Sequence, residues 1–181
     1  MVIETIVVSS AVLFARKGKF SSLRRLRING WYLLIFSAIL QGLLSRGIIP
    51  MSFHYITIIS TYVLLILCLL LNIRRLSMKI ILVGIILNFI IIALNSGYMP
   101  VSLGALEFAG YEISAITSGI LDTFHSVLNK DTLAPLLGDY IPIPEPYWFP
   151  QIWSIGDLFL IVGIFIFVQD LKPNSNSSAK N

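Results

Sequence analysis

Charge is scarce in this chain: Asp, Glu, Lys and Arg make up 12% of its 181 residues, against 56% apolar residues. That balance is a membrane composition. Cysteine is all but missing too, and the lone Cys68 sits deep in an apolar run, so no internal disulfide can form. HExxH, paired cysteines, a nucleophile elbow, a phosphate loop and EF-hand spacing are all absent. The sequence therefore names no reaction, no metal and no cofactor. Internal repeats are absent as well.

What is present is apolar sequence gathered into runs, without the periodic spread of a soluble core. The runs lie near 2–15, 28–44, 53–72, 78–94 and 153–169. A bilayer core of roughly 30 Å needs about 20 helical residues, so the middle three runs qualify directly. The first and last borrow flanking residues, including the snorkelling stems of Arg16 and Lys17. Glu4 stands where a secretory signal would carry a basic start, so the first run is expected to remain as a helix. The fold class expected is an all-α integral membrane protein of about five transmembrane helices, one polytopic domain over 1–171 with a disordered tail at 172–181.

Basic residues set the orientation. Six lie between the first two runs (Arg16, Lys17, Lys19, Arg24, Arg25 and Arg27), three between the third and fourth (Arg74, Arg75 and Lys79), and Lys172 and Lys180 follow the fifth. Only Arg46 and Lys130 fall on the other side. The positive-inside rule then places the N-terminus outside and the C-terminus inside a bacterial cytoplasmic membrane. The net charge of +4 is read as a topology signal touching anionic lipid heads, with no nucleic-acid partner implied.

The stretch 96–152 becomes an extracytoplasmic cap, and it is acidic: Glu107, Glu112, Asp122, Asp131, Asp139 and Glu145 face one Lys130. Ile113, Ile116, Ile120, Phe124 and Leu128 recur at helical spacing, which predicts an amphipathic helix over 112–128. Pro135, Pro142, Pro144, Pro146 and Pro150 predict an extended proline-rich strap. Tyr147, Trp148, Phe149 and Trp153 suit an interfacial aromatic belt where the chain re-enters the bilayer. At the cap's entrance Asn95-Ser96-Gly97-Tyr98-Met99-Pro100 reads as a helix stop, with Gly97 in the left-handed position.

Polar residues inside the runs fall into stripes: His54, Thr57, Thr61, Cys68 and Asn72 on one helix face, Ser37, Gln41 and Ser45 on another, Gly84, Asn88 and Asn95 on a third. Such stripes turn inward and bond across helices. Two roles are open to Asp157: a capping box with Ser154 at the start of the last helix, or the lining of an outward-opening polar pocket. Its neighbours at that depth would be His54, Asn95, Glu4 and, from the cap, His125 and Asp139. Both histidines and nearly all carboxylates thus collect on the outer side, an arrangement that permits acid–base or metal chemistry. The carboxylate spacings match no known metal loop.

The ordered set Asn95-x-Gly97-x-Met99-Pro100, His125, Leu137-Gly138-Asp139-x-Ile141-Pro142 and Ser154-Ile155-Gly156-Asp157 resembles a bacterial domain-of-unknown-function family of small integral membrane proteins, family 5317. The resemblance covers about residues 28–168. It implies that Asn95, His125, Asp139 and Asp157 form one linked outer constellation, and it implies no activity, substrate or cofactor.

Three functions are compatible with these residues. The first is an outer binding site for a lipid headgroup, an ion or a small polar ligand, or a docking site for a membrane-protein partner or a second copy of the chain, using Asn95, His54, His125, Asp139, Ser154 and Asp157. The second is a membrane-embedded hydrolase or transferase acting on a lipid-linked substrate at the outer leaflet, with His125, Asp139 and Asp157 as catalytic candidates. The third is a small transporter or channel subunit, for which only Asn88, Gln41, Thr61 and Cys68 lie at mid-depth.

Overall fold

A computed structural model describes residues 2–15, 28–111, 119–147 and 150–170. Each apolar run carries a helix: α1 (Val2–Ala15), α2 (Trp31–Ser45), α3 (His54–Leu70), α4 (Leu76–Leu94) and α6 (Ile155–Gln169), with the short α5 (Leu103–Phe108) in the cap. A 3-10 turn, Met51–Phe53, leads into α3. Two helical stretches, Met51–Leu70 and Leu76–Leu94, are long and apolar enough to cross a membrane. The apolar helices α1, α2 and α6 are shorter. Neighbouring helices run α2, α3, α4, α6, α1, with α6 packed between α4 and α1.

The interior mixes apolar residues such as Leu44, Ile58 and Ile91 with polar ones, and much of the helix surface is apolar. Ser37, Thr57, Thr61, Asn72, Ser77 and Asn88 are buried, while Ile35, Phe36, Ile39, Val63, Leu67, Val83 and Val162 are exposed. The α4–α6 contact explains how polar groups come to meet. A Cβ on Gly156 would overlap the Asn88 amide, and one on Gly84 would stand 2.5 Å from the Gly156 carbonyl oxygen. Small residues let the two backbones approach until the Asn88 side chain reaches the first turn of α6.

At the end of the bundle away from the cap Asn72 grips the chain entering α2. Its Nδ2 donates to the Asn29 carbonyl (2.8 Å) and its Oδ1 accepts from the Asn29 amide (3.0 Å). At the opposite end Asn95 repeats the device on the cap, donating to the Leu133 carbonyl and accepting from the Leu133 amide, both at 3.0 Å. α4 stops where the sequence suggests: Ser96 and Gly97 both take positive φ (57° and 89°), and the Gly97 amide donates back to the Ile92 carbonyl at 2.9 Å.

The cap is built on four short strands. β1 (Met99–Val101) pairs in parallel with β2 (His125–Val127), and Val101 also bridges Asp139 on its other side. β3 (Ile141–Ile143) pairs antiparallel with β4 (Gln151–Trp153). The expected amphipathic helix over 112–128 is therefore corrected in its described half. Gly119 takes φ +71°, Ile120 bridges Ser126 and the chain continues into β2. Pairing with β1 satisfies the backbone that a helix would have satisfied internally, and Phe124 packs on the core cluster of Leu44, Ile58, Ile91, Ile92 and Met99. Helical spacing at Ile120, Phe124 and Leu128 was thus met by a folded loop. The first half of that helix, together with the basic stretch 16–27, Trp148, Phe149 and the expected tail 172–181, lies outside the described residues. The proline-rich strap is extended at β3, but it opens with a 3-10 turn at Pro135–Leu137 and is held in a two-stranded ladder.

Candidate functional site

Beneath the cap, between α3, α4 and α6, lies a cavity of about 650 Å³. Its floor includes Gln41, Tyr62 and Asn88. Its upper wall carries Asp122, His125, Asp139 and Trp153, with Asp157 between the two levels.

Asp157 is held twice. Ser154 caps α6: its Oγ accepts from the Asp157 amide (3.0 Å), while the Ser154 amide donates to Oδ2 of Asp157 (2.9 Å), closing a capping box. Across the glycine contact, Nδ2 of Asn88 donates to Oδ1 of Asp157 (3.0 Å), and Oδ1 of Asn88 accepts from the fully buried Ser154 hydroxyl (3.0 Å). Both roles open to Asp157 in the sequence therefore coexist in this structure, where it caps α6 and lines the cavity.

His125 is oriented by an Asx turn. Oδ1 of Asp122 accepts from the amides of Phe124 (2.7 Å) and His125 (2.9 Å), and the same carboxylate meets Nδ1 of the His125 ring at 2.9 Å. Burial works against the His125 charge, but the hydrogen bond and charge of Asp122 outweigh it, and the imidazole pKa is raised. For Asp122 burial likewise opposes ionisation, and His125 together with the Phe124 amide holds the carboxyl below its usual range. When Nδ1–H is donated to Asp122, Nε2 carries the lone pair that can take a proton.

Asp139 is the exceptional group. Its backbone is locked to β1: its amide donates to the Pro100 carbonyl (2.9 Å) and its carbonyl accepts from the Ser102 amide (3.0 Å). The residue is 4% exposed, and Oδ1 is buried without a hydrogen-bond partner. Burial, with the nearby Asp157 charge adding to it and His125 opposing, pushes this carboxyl up to about 8. At neutral pH such a carboxyl is mostly protonated.

Of the remaining residues singled out in the sequence, His54 and Asn95 do not line the cavity. His54 is buried, with Nε2 at 2.7 Å from the Thr123 carbonyl and its ring stacked on Tyr98 at 4.3 Å. Gly97 leaves room for that ring, since a Cβ there would lie 3.0 Å from it. His54 and Asn95 thus fasten the two ends of the 123–133 segment over the cavity. Glu4 meets Gln151 on the cap rim, Oε1 accepting from Nε2 at 2.9 Å. Asp122 was the contributor least visible beforehand, although Asp122-Thr123-Phe124-His125 has the spacing of an Asx turn that presents a histidine. Among the described residues, no three His, Cys, Asp or Glu gather closely enough to hold a metal ion.

The architecture is that of a mostly helical protein, with two helices able to cross a membrane and a small cap roofing a cavity of mixed apolar and polar walls. The chain belongs to the family of unknown function DUF5317, whose model matches residues 25–169. It is similar to an uncharacterized protein of Thermotoga maritima, 29% identical over 157 residues that cover 86% of this chain and 83% of the relative. No solved structure matches.

Proposed function

We propose that the chain is a multi-pass protein of the bacterial cytoplasmic membrane. In this reading α1, α2, α3, α4 and α6 cross the bilayer, the N-terminus and cap lie outside, and the C-terminus lies inside. Its cavity binds a small ligand with a polar head and an apolar body, drawn from or dissolved in the membrane. The buried Asp139 carboxyl lining that cavity without a partner for Oδ1 carries the reading, because a buried polar group is costly until something bonds to it. The exposed aliphatic surface of the helices and the basic residues on one side of them support the membrane placement.

A second reading, a membrane enzyme acting on a lipid-linked substrate, is favoured by the Asp122–His125 pair, which has the geometry of an oriented general base beside an uncharged carboxyl able to act as acid. Native mass spectrometry of the gently solubilised protein tests the site. A copurified small molecule that is lost in His125→Ala and Asp139→Asn supports it, and an unliganded wild type, or retention in both variants, refutes it. In a Cys68→Ala background, Lys130→Cys should react with an impermeant maleimide on intact cells, and Arg74→Cys only after lysis. The reverse pattern would invert the topology.

A further inference from the structure

The charges around the cavity are one-sided. Asp122, Asp139 and Asp157 line it, and among the described residues no lysine or arginine does. The one basic group among the described lining residues, His125, already has Asp122 at 2.9 Å as its counter-charge. A phosphate or sulfate head would meet carboxylates there without a guanidinium or ammonium to offset them, contrary to how anions are bound. The apolar remainder of the wall includes the rings of Tyr62, Phe124 and Trp153, surfaces that accept both hydrocarbon and organic cations. Oδ1 of Asp139 is an acceptor in want of a donor.

We propose that the cavity takes an alkylammonium, an N–H-bearing cation on an apolar tail, whose ammonium donates to Asp139 beside Asp157 while its tail lies against Tyr62 and Trp153. This rests on the binding reading above and names its ligand class. The chemistry is shared by the head of an aminolipid and by a free alkylamine.

Binding on these terms is an exchange of cations. The empty site carries a proton on Asp139. As the ammonium arrives, the carboxyl loses that proton to solvent and the new ion pair takes its place, with no change in net charge. The groups that act on Asp139 are Asp157 from α6, His125 from β2 and Tyr62 from α3, with Asp122 paired to His125 on the same wall. The carboxylates and the Tyr62 ring favour the incoming cation, and a protonated His125 opposes it. With the carboxyl at about 8, the site holds about 0.9 proton at pH 7, so nearly one proton leaves per amine bound.

The test is isothermal titration of the full chain in non-ionic detergent with hexylamine, hexanol and hexyl phosphate at pH 7, in two buffers of different ionisation enthalpy. Hexylamine should bind in preference to the other two and release close to one proton. Asp139→Asn, the neutral isostere of the protonated acid, should lower its affinity about 10-fold or more and abolish the release. Phosphatidylethanolamine retained by the wild type and lost by Asp139→Asn in native mass spectrometry would support the proposal with the membrane as source. Hexylamine binding without such retention would support it with a free amine. Hexanol or hexyl phosphate binding as well as hexylamine, or amine binding indifferent to Asp139→Asn, would overturn the ammonium assignment and leave the cavity a ligand site. Failure of all three probes to bind overturns it as well, while the copurification experiment decides separately whether any ligand occupies the cavity.

Discussion

Replacing Asp139 by asparagine should make the folded protein less sensitive to rising pH. The carboxyl moves from an ordinary 3.8 to about 8 on folding. Between those values the unfolded chain has released a proton that the folded chain retains. Stability therefore falls as pH rises across that window, by about 1.4 kcal/mol per pH unit. From pH 6 to 7.5 the wild type should lose roughly 2 kcal/mol from this group, equivalent to about 4–8 °C in Tm for a chain of this size. The raised His125 pKa acts in the same direction: its contribution is present below the ordinary value and lost as pH rises through the folded one. That contribution is common to both proteins and largely cancels in their difference. The amide introduced by Asp139→Asn stays neutral throughout, so the Tm gap between variant and wild type should widen in the variant's favour by several degrees over that interval. Intrinsic tryptophan fluorescence in detergent, scanned at half-unit steps of pH, gives the two curves. Parallel curves would show that Asp139 is ionised in the folded state already, and the account of its burial would fail.

Other outcomes follow from the same contacts. Gly156→Ala should force α4 and α6 apart at Asn88 and lower stability by about 1–3 kcal/mol, measured as a fall in midpoint against wild type. Ser154→Ala removes the α6 cap, costs about 1 kcal/mol, and should speed hydrogen exchange at the Asp157 amide while leaving the C-terminal end of α6 unchanged. Asn95→Ala loses both bonds to Leu133, so limited proteolysis should cut the 129–137 segment faster, at a stability cost of about 1–3 kcal/mol. Asp122→Asn removes the counter-charge beside Nδ1 of His125, and the imidazole should titrate at lower pH by NMR. An unchanged titration would mean that Asp122 does not set it.

The parts of this molecule that were legible in the sequence are those fixed by local chemistry. Helices occupy the apolar runs because length and composition decide them, and Ser154-Ile155-Gly156-Asp157 spells its own capping box. Helix azimuth was legible at α3, where His54, Thr57, Thr61, Cys68 and Asn72 are all buried. Depth was a poorer guide. His54 and Asp157 were placed at similar depth, yet His54 turns to the Thr123 carbonyl and Tyr98, and Asp157 turns to the cavity. The segment 119–128 was misread because a period near 3.6 constrains side chains and says nothing about a backbone partner. That partner, β1, is more than twenty residues away in sequence. The isolation of Asp139 was invisible for a related reason: its amide and carbonyl are spent on β1, and the remaining carboxyl is left where only the tertiary fold can define its surroundings.

The glycine contact between α4 and α6 has a bearing on how this architecture can change over time. Because Gly84 and Gly156 seat the first turn of α6 against the middle of α4, both ends of the cap are tied to one helix pair, as a handle is to a lid. A segment anchored that way can lengthen, shorten or exchange its strands at small entropic cost while the helix pair and its Asn88–Ser154–Asp157 triangle stay put. The pedestal would hold half of the pocket constant and the handle would vary the other half, so that selectivity could diverge among descendants without any helix being rebuilt.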